Sequence, residues 1–81
     1  FDKGYGSEAI RLLLRYAFDT LNLNKVCLRH LATNERGRAC YLKVGFKQAG
    51  LQKRHVFSNG EYADVVIMEI FADEFRALYG K

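Results

Sequence analysis

The chain has 81 residues, 49% apolar and 27% charged, with 13 Lys and Arg against 9 Asp and Glu for a formal net charge of +4. That length supports one small domain with a thin core, because a chain of this size buries only about 60–65% of its unfolded surface. No apolar run approaches membrane-spanning length and no signal-peptide pattern precedes the first helix; the basic residues are too scattered for a nucleic-acid stripe, although a positive balance suits a polyanionic ligand such as a nucleotide. Cys27 and Cys40 stand among apolar residues, with no CxxC spacing and no clustered histidines. They read as two reduced, buried thiols, as in a cytoplasmic protein, and no metal site is expected.

The first element is predicted as a helix over 7–21. Ile10, Leu13, Leu14, Ala17, Phe18 and Leu21 form one apolar stripe at helical period. Gly6 or Ser7 can cap it, and Glu8 stands in the first turn, where the helix dipole favours an acid. Asn22 and Asn24 break the pattern, and 25–32 reads as a strand apolar on both faces, Val26 and Leu28 against Cys27 and Leu31. Asn34 caps a second helix that runs to about Val44 and ends at Gly45. A further strand starts over 46–51. Residues 54–57, the turn Ser58-Asn59-Gly60-Glu61 and residues 62–71 form a β-hairpin, for which Asn-Gly is the strongest short signal. Asp73 opens a short terminal helix carrying Phe75, Leu78 and Tyr79. The order is loop–α–β–α–β–β–α, an α/β class. A strand ahead of the first helix would complete a βαβ crossover, so an exposed apolar sheet edge is expected.

Chemistry is concentrated in two blocks. In Lys3-Gly4-Tyr5-Gly6-Ser7-Glu8-Ala9 two glycines run straight into a helix N-terminus. Several backbone N–H groups then converge with the positive end of the helix dipole, an arrangement that takes a pyrophosphate without any particular side chain. Gly-x-Gly ahead of a helix is equally what a plain tight turn shows, and the third glycine or the lysine of the dinucleotide and P-loop motifs is missing. The second block is Asn34-Glu35-Arg36-Gly37-Arg38-Ala39-Cys40-Tyr41-Leu42-Lys43-Val44-Gly45-Phe46. Taken alone, Asn34 is a helix cap and Tyr41 a core aromatic.

Together, in this order and with a strand between, the two blocks resemble the GNAT acetyltransferases. That family has a loop [RQ]xxGxG[AS] opening a helix, then a strand, then a helix reading N-x-x-A-x-x-x-Y-x-K-x-G-F. Phe57-Ser58-Asn59-Gly60-Glu61-Tyr62 further resembles the subgroup of ribosomal-protein N-terminal and spermidine N-acetyltransferases. Two positions depart from the pattern. Phe1 stands where Arg or Gln is usual, and Gly37 replaces an alanine at about 1 kcal/mol of helix propensity.

The resemblance implies a partial GNAT fold lacking the N-terminal strands, with residues 1–81 as the C-terminal half of an acetyltransferase domain. It implies acetyl-CoA as cosubstrate and a primary amine as acceptor: a polyamine, a protein N-terminus or an aminosugar. The amine attacks the thioester carbonyl and the acetyl group passes directly. Backbone amides of Lys3, Gly4, Tyr5, Gly6 and Ser7 would hold the CoA pyrophosphate, Asn34 would contact the CoA arm, and Tyr41 would give a proton to the departing thiolate. Lys43 and Arg38 read as solvated charges, with a smaller chance of reaching CoA phosphates; His30 and His55 read as isolated strand or surface residues. Asp64 and Glu61 could face an amine, though nothing in the sequence singles them out. Two other readings stay open, a non-catalytic module that self-associates by edge pairing and a small RNA-binding domain, the latter without an aromatic ladder on one strand. A homo-oligomer is expected from the open edge.

Overall fold

The computed structural model describes residues 6–80. Helix α1 (Gly6–Arg15) continues as a π-helical turn, Tyr16–Thr20. Strand β1 (Lys25–Leu31), helix α2 (Glu35–Val44), strands β2 (Lys47–Ser58) and β3 (Glu61–Phe71) and helix α3 (Ala72–Tyr79) follow. From the first helix onward the element order read from the sequence holds; the loop ahead of it falls on residues 1–5, outside those described. No helix among the described residues is long and apolar enough to cross a membrane.

The three strands form one antiparallel sheet in the order β1-β3-β2. The hairpin turn has Asn59 at φ 53° and Gly60 at φ 82°. Two successive positive φ values are what a two-residue turn needs to match the twist of the strands it joins. Both halves anticipated for the strand before the turn belong to β2. Its register against β3 shifts between Gln48 and Gly50 and again between Gln52 and Val56, and Arg54 between them is held at φ 48°. Extra residues at such irregularities bend and twist an edge strand.

Alternation along β1 and β3 decides the layers. Val26, Leu28 and His30 pair with Ile70, Met68 and Val66 on one face. Ile10, Leu14 and Phe18 of α1, Val44 of α2 and Phe75 of α3 close over that face in a single core with Phe46 and Ala72. The rings of Phe18 and Phe75 meet at 5.4 Å. Each fully buried side chain of this size contributes roughly 1.5–3 kcal/mol.

Three expectations about burial are corrected. The apolar stripe of α1 is narrower than its periodicity: Ile10, Leu14 and Phe18 are buried, but Leu13 is 61% exposed and Leu21 is exposed. A three-stranded sheet covers only the i, i+4, i+8 row, which leaves Leu13 on the solvent side. Strand β1 is packed on one face, not two, since the helices lie on one side of the sheet. Cys27 is accordingly exposed and Cys40 half-buried, and both are free thiols.

The end of α1 is widened rather than simply stopped. Leu21 N donates to Tyr16 O at 3.0 Å, a five-residue step, and Phe18 O is taken instead by Arg76 Nη2 at 3.1 Å. Arg76 Nη2 also reaches Asp19 Oδ1 at 3.3 Å. From α1, Arg15 Nη1 bonds Asp19 Oδ2 at 3.3 Å and Gly80 O at 2.5 Å, and its Nη2 bonds Tyr79 O at 3.2 Å. Two guanidinium groups thus tie α3 to the π turn around one carboxylate. At the other end of α3, Glu74 Oε1 accepts from Phe71 N at 3.0 Å and Glu74 Oε2 meets Lys47 Nζ at 3.1 Å.

Both carboxyls titrate below their ordinary range. At Asp19 partial desolvation pushes upward, but the hydrogen bonds from Arg76 and Arg15 outweigh it. At Glu74 the Phe71 amide and then Lys47 lower it. A depressed folded value means stability that is complete above the ordinary values of 3.8 and 4.5 and is lost as pH falls through the lower folded ones. Thermal unfolding followed from about pH 6 to pH 3 is expected to lose part of its Tm in that acid range. Asp19→Asn with Glu74→Gln should flatten this part of the profile; an unchanged slope would show that these two groups carry none of it.

Candidate functional site

Helix α1 begins at Gly6, which is buried, with Ser7 half-buried behind it. Lys3, Gly4 and Tyr5 of the glycine loop lie outside the described residues. At the start of α1 a cavity of about 80 Å³ is bounded by Ser7, Glu8 and Arg11 on one side and by Lys43, Val44 and Tyr79 on the other. Packing of α1 against α2 thus carries Lys43, read from the sequence as a solvated charge, to the positive end of α1. The cavity also holds an acid, because Arg11 is paired with Glu8 at 2.6 Å. Tyr79 stacks under the Arg11 guanidinium at 5.5 Å and donates its hydroxyl proton to Val44 O at 2.7 Å. Sequence reading had Tyr79 only as an apolar residue of the terminal helix; nothing local in the chain marks it as a wall of this cleft.

Asn34 lies at the opposite end of α2. Ten helical residues span about 15 Å, so Asn34 and the α1 terminus do not share one cleft. Asn34 Oδ1 accepts from Gly37 N at 3.0 Å, which makes it a true helix cap. A methyl group on Gly37 would come within 2.4 Å of Asn34 Nδ2 and 2.9 Å of its Cγ. The glycine that looked like a mere loss of helix propensity is therefore the space in which the cap lies.

Tyr41 is half-buried in the middle of α2 and packs on the core. Its ring is held between His30 at 5.7 Å and Phe46 at 5.9 Å, the latter edge-on. No hydrogen bond from a described residue to its hydroxyl is seen. His30, 6% exposed, is the buried polar side chain of the described core. Its Nδ1 is 2.8 Å from Leu31 O, so that nitrogen carries the proton, and Nε2 is buried without a partner. The alternation Val26, Leu28, His30 was the signal for this burial. The described residues hold no group of three or more His, Cys, Asp or Glu able to grip a metal ion.

Residues 1–47 match the acetyltransferase (GNAT) domain family. The chain is 35% identical to the spermidine N(1)-acetyltransferase of Escherichia coli K12 over 93% of its own length and 40% of that protein's. It is 33% identical to the putative ribosomal N-acetyltransferase YdaF of Bacillus subtilis, over 91% of this chain and 40% of that one. Among solved structures, spermidine N-acetyltransferase from Vibrio cholerae in complex with CoA and spermine superposes with a TM-score of 0.86 at 33% identity, covering 90% of this chain and 43% of that chain. A dodecameric structure of the same enzyme gives 0.85 at 33% identity, with the same coverage. The chain thus spans less than half the length of these relatives.

The shared space of Asn34 and residue 37 is open to a thermodynamic cycle. Asn34→Ala is expected to cost about 1 kcal/mol, a fall in Tm of roughly 4–8 °C for a domain of this size. Gly37→Ala gains about 1 kcal/mol of helix propensity but evicts the cap, so it should be near neutral alone and stabilising in the Asn34→Ala background. Calorimetry showing the two changes to be additive would mean that they do not compete for the same space.

Proposed function

The chain belongs to the GNAT acetyltransferases, and from that premise we propose that it supplies the acetyl-CoA-holding portion of an enzyme that acetylates a primary amine. The observation that carries this reading is the family match over residues 1–47, which joins the glycine loop, the α1 terminus and the Asn34–Phe46 block in one continuous stretch. The residues present fit a pyrophosphate. Glycine opens α1, so its first residue sets no side chain over the helix start, and Lys43 lines the cavity beside Ser7. Free N–H groups at a helix start, aided by the dipole and one nearby ammonium, bind phosphate oxygens well.

Under this proposal the amides of Lys3, Gly4, Tyr5, Gly6 and Ser7 hold the pyrophosphate of acetyl-CoA. Asn34 keeps its Oδ1 on Gly37 and offers its side-chain N–H groups to the CoA arm. Tyr41 gives its phenol proton to sulfur as the carbon–sulfur bond breaks and the carbon–nitrogen bond forms, and the proton lost by the amine replaces it. The likeness to spermidine N-acetyltransferases favours a polyamine acceptor over a protein N-terminus or an aminosugar. A cytoplasmic location, where acetyl-CoA is made and used, belongs to the same proposal.

Binding and proton transfer separate cleanly. Gly4→Val and Gly6→Val should abolish CoA binding measured by calorimetry, because a branched side chain blocks phosphate approach and strains the turn. Tyr41→Phe should bind CoA as the parent does while acetylation of a polyamine slows by about 10- to 1000-fold. Full CoA affinity in the glycine variants would end the cradle assignment, and an undiminished rate would return Tyr41 to a packing role.

A second reading concerns assembly, and one observation favours it: among the described residues β1 pairs with β3 only and has no register shift along its seven residues. Its far edge presents unpaired backbone groups without the bulges and clustered charges that blunt β2. We propose that the chain self-associates through this edge. Sedimentation at micromolar concentration should show a dimer or larger species, reduced by Cys27→Lys, which places a charge on the exposed face of the edge. A cooperatively folded monomer would dispose of the idea.

A further inference from the structure

Strand β1 carries a polar side chain on its apolar face, under the helices. Val26 and Leu28 precede it there, Val66 pairs with it across the sheet, and His30 itself is 6% exposed. A buried imidazole costs more than an apolar residue in such a place unless both of its nitrogens are bonded. Here only Nδ1 is. It lies 2.8 Å from Leu31 O, and a carbonyl oxygen only accepts, so Nδ1 carries the hydrogen. In the neutral ring Nε2 is then a lone-pair acceptor, buried without a donor among the described residues.

Against this ring lies Tyr41, with centroids 5.7 Å apart and planes 36° from parallel. The buried ring of Phe46 meets Tyr41 edge-on at 5.9 Å, so the phenol is held in place by both neighbours. Its hydroxyl and His30 Nε2 are thus two polar atoms without protein partners, on two rings in contact. An ordered water is what usually joins such a pair. With bonds of about 2.8 Å on each side, one water links atoms up to about 5.6 Å apart, the scale of this separation. Its orientation follows from the tautomer. Nε2 can only accept, so the water gives it one hydrogen and has the second left for the Tyr41 oxygen. The phenol's own O–H then stays free to donate elsewhere.

We propose that His30 is a positioning residue for Tyr41, its Nε2 holding a water that donates to the phenol oxygen. The proposal rests on the reading of Tyr41 as the acid of acetyl transfer. As the carbon–sulfur bond breaks, the phenol proton goes to sulfur and negative charge is left on the Tyr41 oxygen. The water's second hydrogen is already aimed at that oxygen. A donor set in place beforehand stabilises charge as it develops. The proton lost by the amine restores the phenol, and His30 stays neutral throughout.

The test begins on the free chain, without substrate. Long-range proton–nitrogen spectra of the imidazole should show His30 with its hydrogen on Nδ1. Tyr41→Phe, which keeps the ring contact and removes only the hydroxyl, should move the Nε2 resonance several times further than Nδ1. A hydrogen found on Nε2, or equal shifts at the two nitrogens, would overturn the proposal while leaving Tyr41 its acid role. Turnover supplies the second arm. His30→Phe should lower kcat about 10- to 100-fold, the loss of one hydrogen bond to a charged oxygen, with KM for acetyl-CoA unchanged. His30→Gln restores an acceptor and should recover most of that rate. In the Tyr41→Phe background His30→Phe should cost nothing further. Full turnover in His30→Phe beside a slow Tyr41→Phe sinks the positioning role alone, whereas full turnover in both sinks the acid reading with it. A chain without measurable turnover is still decided by the nitrogen spectra.

Discussion

Everything in this small fold is referred to β3, the one described strand with partners on both edges. Because β1 and β2 both hydrogen-bond to it, its alternation decides which side of the whole sheet is inside. Val66, Met68 and Ile70 face the helices, and their partners on β1 are forced to that side by register. A slip of one residue would turn His30 and Leu28 outward and bring Cys27 and Arg29 into the core. The helices do not fix that choice; they cover the face that β3 presents. The two guanidinium groups on Asp19 and the Tyr79 hydroxyl on Val44 O then hold the last helix against the first two, polar ties at the margin of an apolar layer.

How legible was this in the chain itself? Element order was, because it depends on local chemistry: the helical spacing of Ile10, Leu14 and Phe18, the Asn34 cap, the Gly45 stop and the Asn59-Gly60 turn all act within a few residues of themselves. Exposure was not, because it depends on how much sheet there is to cover. Leu13 looks as buried as Leu14 in the sequence, yet only one of them lies on the row the three strands reach. Cys27 has apolar neighbours on both sides, but it points to the face no helix covers. The π turn was equally hidden, since the Arg76 that takes its Phe18 carbonyl stands 58 positions away.

The candidate site divides along the same line. Family spacing singled out Asn34 and Tyr41 as candidates, and the structure sets them at the cap and in the middle of α2. What spacing cannot convey is that Lys43 is brought beside Ser7, or that Gly37 is empty for the sake of Asn34. The first is a consequence of helix packing and the second of a contact closer than any side chain allows. His30 falls between these cases. The strand alternation gives its side of the sheet, whereas the stacking that places Tyr41 against it belongs to the tertiary fold alone.

The strand order has a temporal side. The β2–β3 ladder closes across two residues, Asn59 and Gly60, so its pairing has almost no chain entropy to overcome. The β1–β3 ladder joins residues more than thirty positions apart, as with Leu31 and Val65, and must wait for α2 and the hairpin to be laid between them. Rates fall as such distant pairings become necessary. The hairpin is thus the natural starting point of folding and β1 the last strand to dock. On such a route β3 spends a period with one edge open, and that is when a neighbour's strand can capture it.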